Sequence, residues 1–171
     1  MKAVDSIKMA LGLGDHFMSE LEQMAEKPLT RPGAFGGNHP MWIVGHLAVA
    51  EGRVQKMLHG TPNPVEHWKP LFDWGSTPTD DASKYPPFKE VLGTYRALRA
   101  KTMAYVDQLT DADLDRPTPV PPPQLKGFET IGQMLMIFAC HQSMHAGQGV
   151  VTCRAAGRTP TFEPSPELRA F

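Results

Sequence analysis

His141 and His145 stand four residues apart in the stretch FACHQSMHAGQ, residues 138–148, with no proline between them. On a helix that spacing puts both imidazoles on one face, one turn apart, where two ring nitrogens can ligate one divalent ion. Seven histidines would produce roughly 0.3 such pairs by chance, so the spacing alone decides nothing. Position is more informative. At about 100° per residue, Ile131, Met134, Phe138, His141, His145, Gly149 and Thr152 fall within roughly 60° of one direction, so both histidines face inward beside a glycine that leaves room.

A third histidine reaches the interior from an earlier segment, where Ile43, Leu47, Ala50, Val54 and Met57 form a helical stripe with His46 at its edge between Met57 and Arg53. Burying an imidazole without a partner costs on the order of 1 to 3 kcal/mol, so three of them would consume much of a small domain's stability. A shared cation is the economical reading. The competing one gives each ring its own carbonyl, hydroxyl or water. His39 at a helix start, His59 at a helix end and His67 in a connection are weaker candidates, and His16, flanking the stripe of the first helix, is the borderline one for lining the site.

Other chemistries are poorly supported. No inward Glu-x-x-His pair accompanies the three histidines, as a di-iron carboxylate bundle requires. H-E-x-x-H, G-x-S-x-G, a P-loop and a dinucleotide fingerprint are missing as well. Cys140 points about 100° away from His141 and reads as a packing residue on the outer face. Cys140 and Cys153 are separated by about 20 Å of helical rise, beyond the roughly 7 Å that a disulfide spans.

The elements that must position these residues are helices. Four segments carry the 3.6-residue period and none carries sustained strand alternation, which predicts an all-α fold and, from the chain length, one domain over residues 1–171. The first helix shows Ile7, Leu11, Gly14, Met18, Leu21 and Ala25 on one stripe and ends before Pro28. Asn38 is the expected N-cap of the second, with Pro40 in its first turn, His59 at its end and Gly60 as C-cap. Residues 60–86 hold five prolines and no period, and read as a crossover loop able to join parallel neighbours rather than a core helix. Phe88, Val91, Tyr95, Leu98, Thr102 and Val106 line the third helix, with a short turn over Asp111–Asp115 before the proline-rich loop 117–123. Thr130 and Gln133 have capping-box spacing at the head of the last helix, which runs about 39 Å to near Ala156. Residues 157–171 are expected to lie over the surface as a tail.

Composition narrows the partners. Seventeen basic and 18 acidic residues, dispersed along the chain, give a net charge of -1, which argues against a phosphate-tracking surface and nucleic acid. No apolar run approaches the roughly 18 residues of a membrane span, and Asp5 and Asp15 interrupt the N-terminal pattern, so the expectation is a cytoplasmic protein with no membrane partner. The outer side of the last helix carries Met136, Ile137, Ala139, Cys140, Met144, Val150 and Val151, which predicts a homodimer.

Two stretches, HPMWIVGHLAVAEGRV and HQSMHAGQGVVTCRAAGRTP, resemble the DinB-like (DinB/YfiT) superfamily of four-helix bundles, most specifically at W-x-x-G-H-L-A and H-x-x-x-H-x-G-Q. The resemblance extends in order across nearly the whole chain, crossover and LTDADLDRP segment included, and departs from it at the RPTPVPPPQLKG loop. It implies a four-helix bundle with a long crossover between the second and third helices. It also implies that His46, His141 and His145 bind a divalent metal. Characterised relatives include transferases that use low-molecular-weight thiols and a thiol-dependent isomerase, while others have no known activity.

Three neutral imidazoles leave a coordination position open, the pattern of a catalytic site. Such ligands suit zinc, nickel, iron or copper, with zinc expected first and nickel next because neither demands carboxylate ligands. A small-molecule thiol bound to the ion would lose its proton near neutral pH and attack an electrophilic substrate. Gln142 and Gln148 are candidates to hydrogen-bond around the site. A metal-binding bundle without catalysis and a plain helical interaction protein are the rival functions.

Overall fold

The computed structural model describes residues 2–34 and 36–160, with the backbone alone at Phe17. Helix α1 spans Ala3–Glu22 and α2 Pro40–His59; α3 is a single turn, Lys69–Phe72; α4 runs Phe88–Val106 and α5 Ile131–Ala155. The segment Asp111–Asp115 forms the expected short turn, as a 3-10 helix. Four long helices and no strand among the described residues make the all-α bundle that the periodicity predicts.

The helices pack as two pairs, α1 along α5 and α2 along α4. Gly14 faces Gln142 and Leu21 faces Gly149 at a constant offset, so α1 and α5 run parallel. Glu51 meets Arg99 and Gln55 meets Thr102 at nearly constant offset, so α2 and α4 do too. Parallel neighbours need a connection that returns the length of a helix, which residues 60–87 supply.

That connection does more than the sequence suggests. Val65, Trp68, Phe72 and Tyr85 enter the same apolar cluster as Trp42, Ile43 and Leu47. They cover the back of α2, which is buried on almost every side rather than along one stripe. The proline-rich composition hid this, because isolated anchors in an irregular segment have no period. A fifth helix, α3, is part of the cover.

Local signals account for the helix ends. Gly60 takes the left-handed conformation at φ 68° and its N–H donates to the carbonyl of Lys56, closing α2. Thr130 and Gln133 form the reciprocal capping box at the start of α5. The N-cap of α2 is His39, not Asn38: Nδ1 of His39 accepts the Trp42 N–H at 3.1 Å, whereas the Asn38 amide is turned to Gln148. In α1 the stripe holds through Leu21, but the helix ends at Glu22, and the turn that follows buries Met24 while exposing Ala25.

The core has two apolar ends. One gathers Met18, Leu21, Trp42, Phe72, Phe88 and Tyr95; the other gathers Ile7, Leu11, Val54, Val106, Met134 and Phe138. A polar layer crosses between them, in which Arg99 on α4 bonds Glu51 on α2, Asp15 and the Leu11 carbonyl on α1, while Gln142 on α5 bonds Asp15 and Tyr95. All four long helices are tied to it. No helix of the described residues is long and apolar enough to cross a membrane. Of the tail, residues 161–171 lie outside the described residues.

Candidate metal centre

Between α2 and α5 the rings of His46, His141 and His145 converge. Nε2 of His46 lies 3.0 Å from Nε2 of His141, and Nε2 of His145 lies 3.2 Å from the same atom. His46 and His145 are buried and His141 is half-buried. This is the trio expected from the sequence, and among the described residues it is the group of potential ligands that could hold an ion. His16 is not in it.

The outer nitrogens fix the tautomers. Nδ1–H of His46 donates to the Phe72 carbonyl at 2.7 Å, since a carbonyl can only accept. Nδ1–H of His145 donates to Oε1 of Gln148 at 3.0 Å, and the Asn38 amide donates to that same oxygen at 3.1 Å. Both rings therefore turn a bare Nε2 lone pair toward Nε2 of His141. A proton on His141 can satisfy one of them at a time. Three converging nitrogens with at most one proton among them form a donor set for a cation. Ligand nitrogens of a tetrahedral ion with bonds of about 2.0–2.1 Å lie about 3.3 Å apart, and the two close separations are 3.0 and 3.2 Å.

The rings are held neutral. Burial, then the charges of His145 and His46, pushes His141 down to about 3, and Arg53 adds to the effect. Burial and the charge of His46 bring His145 to about 4, against the bond to Gln148. Burial also lowers His46; the Phe72 carbonyl opposes it, and Arg53 and Asp73 act in opposite directions. Near neutral pH none of the three needs to lose a proton before ligating an ion.

Local sequence explains the pose of His46. Trp42, one turn earlier, stacks on it with centroids 4.7 Å apart and planes 7° from parallel. The Trp42 indole N–H is taken up by Ser76 Oγ at 2.9 Å. A Cβ on Gly45 would sit 2.3 Å from the ring of Phe72, so only glycine lets Phe72 lie against α2 and bring its carbonyl to His46. W-x-x-G-H is thus an aromatic support, a clearance and a candidate ligand. The glycine on α5 has another role, since a Cβ at Gly149 would sit 2.8 Å from the Leu21 side chain: it admits α1 rather than making room at the site.

The chain belongs to the DinB superfamily. The sequence profile of that superfamily matches residues 14–148, which include all three histidines. No curated protein matches the chain.

In this DinB-superfamily chain Gln148, one of the two candidate glutamines, orients His145, while Gln142 faces the other way, to Asp15 and Tyr95. Cys140 is exposed and Cys153 buried, both free. Cys153 donates to the Glu20 carbonyl, and burial raises its thiol. Sequence reasoning singled out Trp42 and Gly45 only as members of W-x-x-G-H-L-A, without a role, and missed the Phe72 carbonyl. The spacing of W, G and H within one turn was available as a signal for the roles of the first two; the carbonyl, 26 residues away in the irregular crossover, left none.

Proposed function

We propose that this chain binds a divalent ion, zinc or nickel, at His46, His141 and His145 and uses it to transfer a small-molecule thiol to an electrophile. The observation that carries the reading is the convergence of three neutral imidazole nitrogens, two with tautomers fixed by outer partners. Bound there, the ion supplies Lewis acidity that favours the thiolate over the thiol near neutral pH.

The chain's own residues prepare for that chemistry. Phe72 and Gln148 hold protons at Nδ1 of His46 and His145, leaving Nε2 of each ring free. Trp42 and Phe138 wall the site with aromatic surface, Phe138 edge-on to His141 at 6.4 Å. In the transfer a sulfur–carbon bond forms, the bond from that carbon to its leaving group breaks, and the thiol proton passes to water. The protein's thiols are poorly suited to be the nucleophile: Cys140 faces outward and Cys153 is buried beside α1.

A metal-binding bundle without catalysis is the second reading. It is favoured by Asp73, the carboxylate whose charge acts on His46, being engaged by Arg53 and by the Trp74 amide rather than held for proton transfer. The experiment is metal analysis of untagged protein, then a screen of thiols against epoxides, halogenated aromatics and maleyl compounds. Activity retained in Cys140→Ser/Cys153→Ser and abolished in His141→Ala supports the proposal. Loss in the cysteine-free protein, with metal content and helicity unchanged, makes a protein thiolate the nucleophile. Stoichiometric metal with no thiol consumed favours the second reading.

The proposal includes a homodimer in the cytoplasm. Helix α5 exposes Met136, Cys140, Met144 and Val151 and has Arg154 as its one residue of fixed charge, the composition of a covered face. Ala139, expected on that face, is buried.

A further inference from the structure

Arg53 follows His46 by seven residues on α2, two turns on the same side of the helix. A long helical side chain leans back toward the N-terminus, which here is toward His46. Two contacts fix where its guanidinium goes. Nη2 donates to Oδ2 of Asp73, and the guanidinium carbon lies 5.9 Å from the centroid of the Trp74 ring. Asp73 is the residue after Phe72, whose carbonyl accepts from His46. The guanidinium is therefore held one residue along the chain from the group that orients a ligand histidine.

Its donors are only partly used. Among the described residues, Nε and Nη1 of Arg53 have no hydrogen-bond acceptor, and Nη2 alone is engaged. Asp73 holds the fork through one oxygen, since Oδ2 takes Arg53 Nη2 while Oδ1 takes the Trp74 amide at 2.7 Å. The Arg53 side chain is 31% exposed and Trp74 is 68% exposed, and the Arg53 charge acts on half-buried His141, so a molecule at that histidine lies within the field of the guanidinium. A cationic fork with free N–H groups, steadied by a carboxylate and flanked by an aromatic plane, matches a planar anion.

We propose that Arg53, steadied by Asp73 and Trp74, anchors a carboxylate of the small molecule handled at the histidine site, which therefore takes carboxylate-bearing substrates in preference to neutral ones. The proposal rests on the metal–thiol reading above for the identity of the reacting group, and on Arg53 alone for the anion. Trp74 belongs to the same anchor as the plane that limits where the carboxylate can lie.

The test uses full-length protein loaded with cobalt(II), whose visible spectrum reports a change of ligands. Wild type is expected to bind 3-mercaptopropionate at least about 10-fold tighter than propane-1-thiol, the ordinary worth of one charge-assisted bond. In Arg53→Met the two thiols bind alike, with the neutral one unchanged; Arg53→Lys, which keeps the charge without the fork, recovers part of the preference. Equal affinities in wild type, or an undiminished preference in Arg53→Met of unchanged helicity, overturns the anchor. A second arm needs neither metal nor thiol: quenching of Trp74 fluorescence, defined by difference from Trp74→Phe, by propionate against propionamide. If no thiol shifts the cobalt spectrum the thiol reading fails, and the anchor then stands on propionate-specific quenching lost in Arg53→Met or falls without it.

Discussion

Arg99→Met removes the cation from the polar layer at the centre of the bundle. Nη1 of Arg99 donates to Glu51 Oε1 at 3.0 Å, Nε to Asp15 at 2.9 Å, and Nη2 to the Leu11 carbonyl at 2.9 Å. The side chains of Arg99 and Glu51 are each 6% exposed and that of Asp15 is 36% exposed. Without the guanidinium, Asp15 turns to water and contributes little to the loss. Glu51 cannot, and keeps only the Thr102 hydroxyl at 2.6 Å. Stranding one member of a buried pair costs about 3–5 kcal/mol, a large part of the roughly 5–15 kcal/mol that holds a domain folded. The deficit depends on pH. Burial already raises the Glu51 carboxyl, with Arg99 opposing, and losing Arg99 raises it further. A carboxyl whose folded pKa exceeds its unfolded value binds more protons when folded, so stability is lost as pH rises from the unfolded value through the folded one. Urea unfolding by circular dichroism is therefore expected to show a larger deficit at pH 8 than at pH 5.5. Glu51→Leu/Arg99→Met should recover most of it, because an apolar pair leaves no buried charge. A single mutant within about 1 kcal/mol of wild type at both pH values, or equally impaired at both, would refute the reasoning and place water beside Glu51.

Further outcomes follow from the site. His46→Ala, His141→Ala and His145→Ala are each expected to lose most bound metal by elemental analysis; full occupancy in any one removes that residue from the site. Gly45→Ala should push Phe72 off α2 and weaken metal binding by about 10–100-fold through the lost carbonyl, as a competition titration would read, and unchanged affinity would free His46 of that partner. His39 accepts from Trp42 N–H at Nδ1 and donates from Nε2 to the Thr79 carbonyl at 2.9 Å, while burial lowers its pKa. Its neutral form is the folded form, so stability falls as pH drops below about 6.5. In metal-free protein His39→Asn, which can still cap, should make that slope shallower without removing it, since buried His46, His141 and His145 add to it, and identical slopes would rule His39 out. Light scattering is expected to give a dimer at micromolar concentration; a monomer with α5 intact would refute the association proposed for its exposed face.

The sequence by itself determined the helices and most of their inward faces. Apolar residues recur at helical period in α1, α4 and α5, and every residue named for the face of α4 is buried, because a face in contact with a core must repeat with the turn. The three histidines were legible for the same reason: His141 and His145 share the inward face of α5, and His46 stands at the edge of the α2 stripe. What lay outside the period was decided only by the tertiary structure. The far side of α2 is covered by Val65, Trp68, Phe72 and Tyr85, anchors in a segment whose order is set by contact with α2. His39 displaces Asn38 as the cap because Thr79, forty residues on, receives its other nitrogen. Two of the three converging nitrogens are left bare by a crossover carbonyl and a glutamine shared with Asn38. Helix formation is local and shows in spacing, whereas the tautomer and aim of a ligand depend on atoms that only the folded chain brings within hydrogen-bond reach.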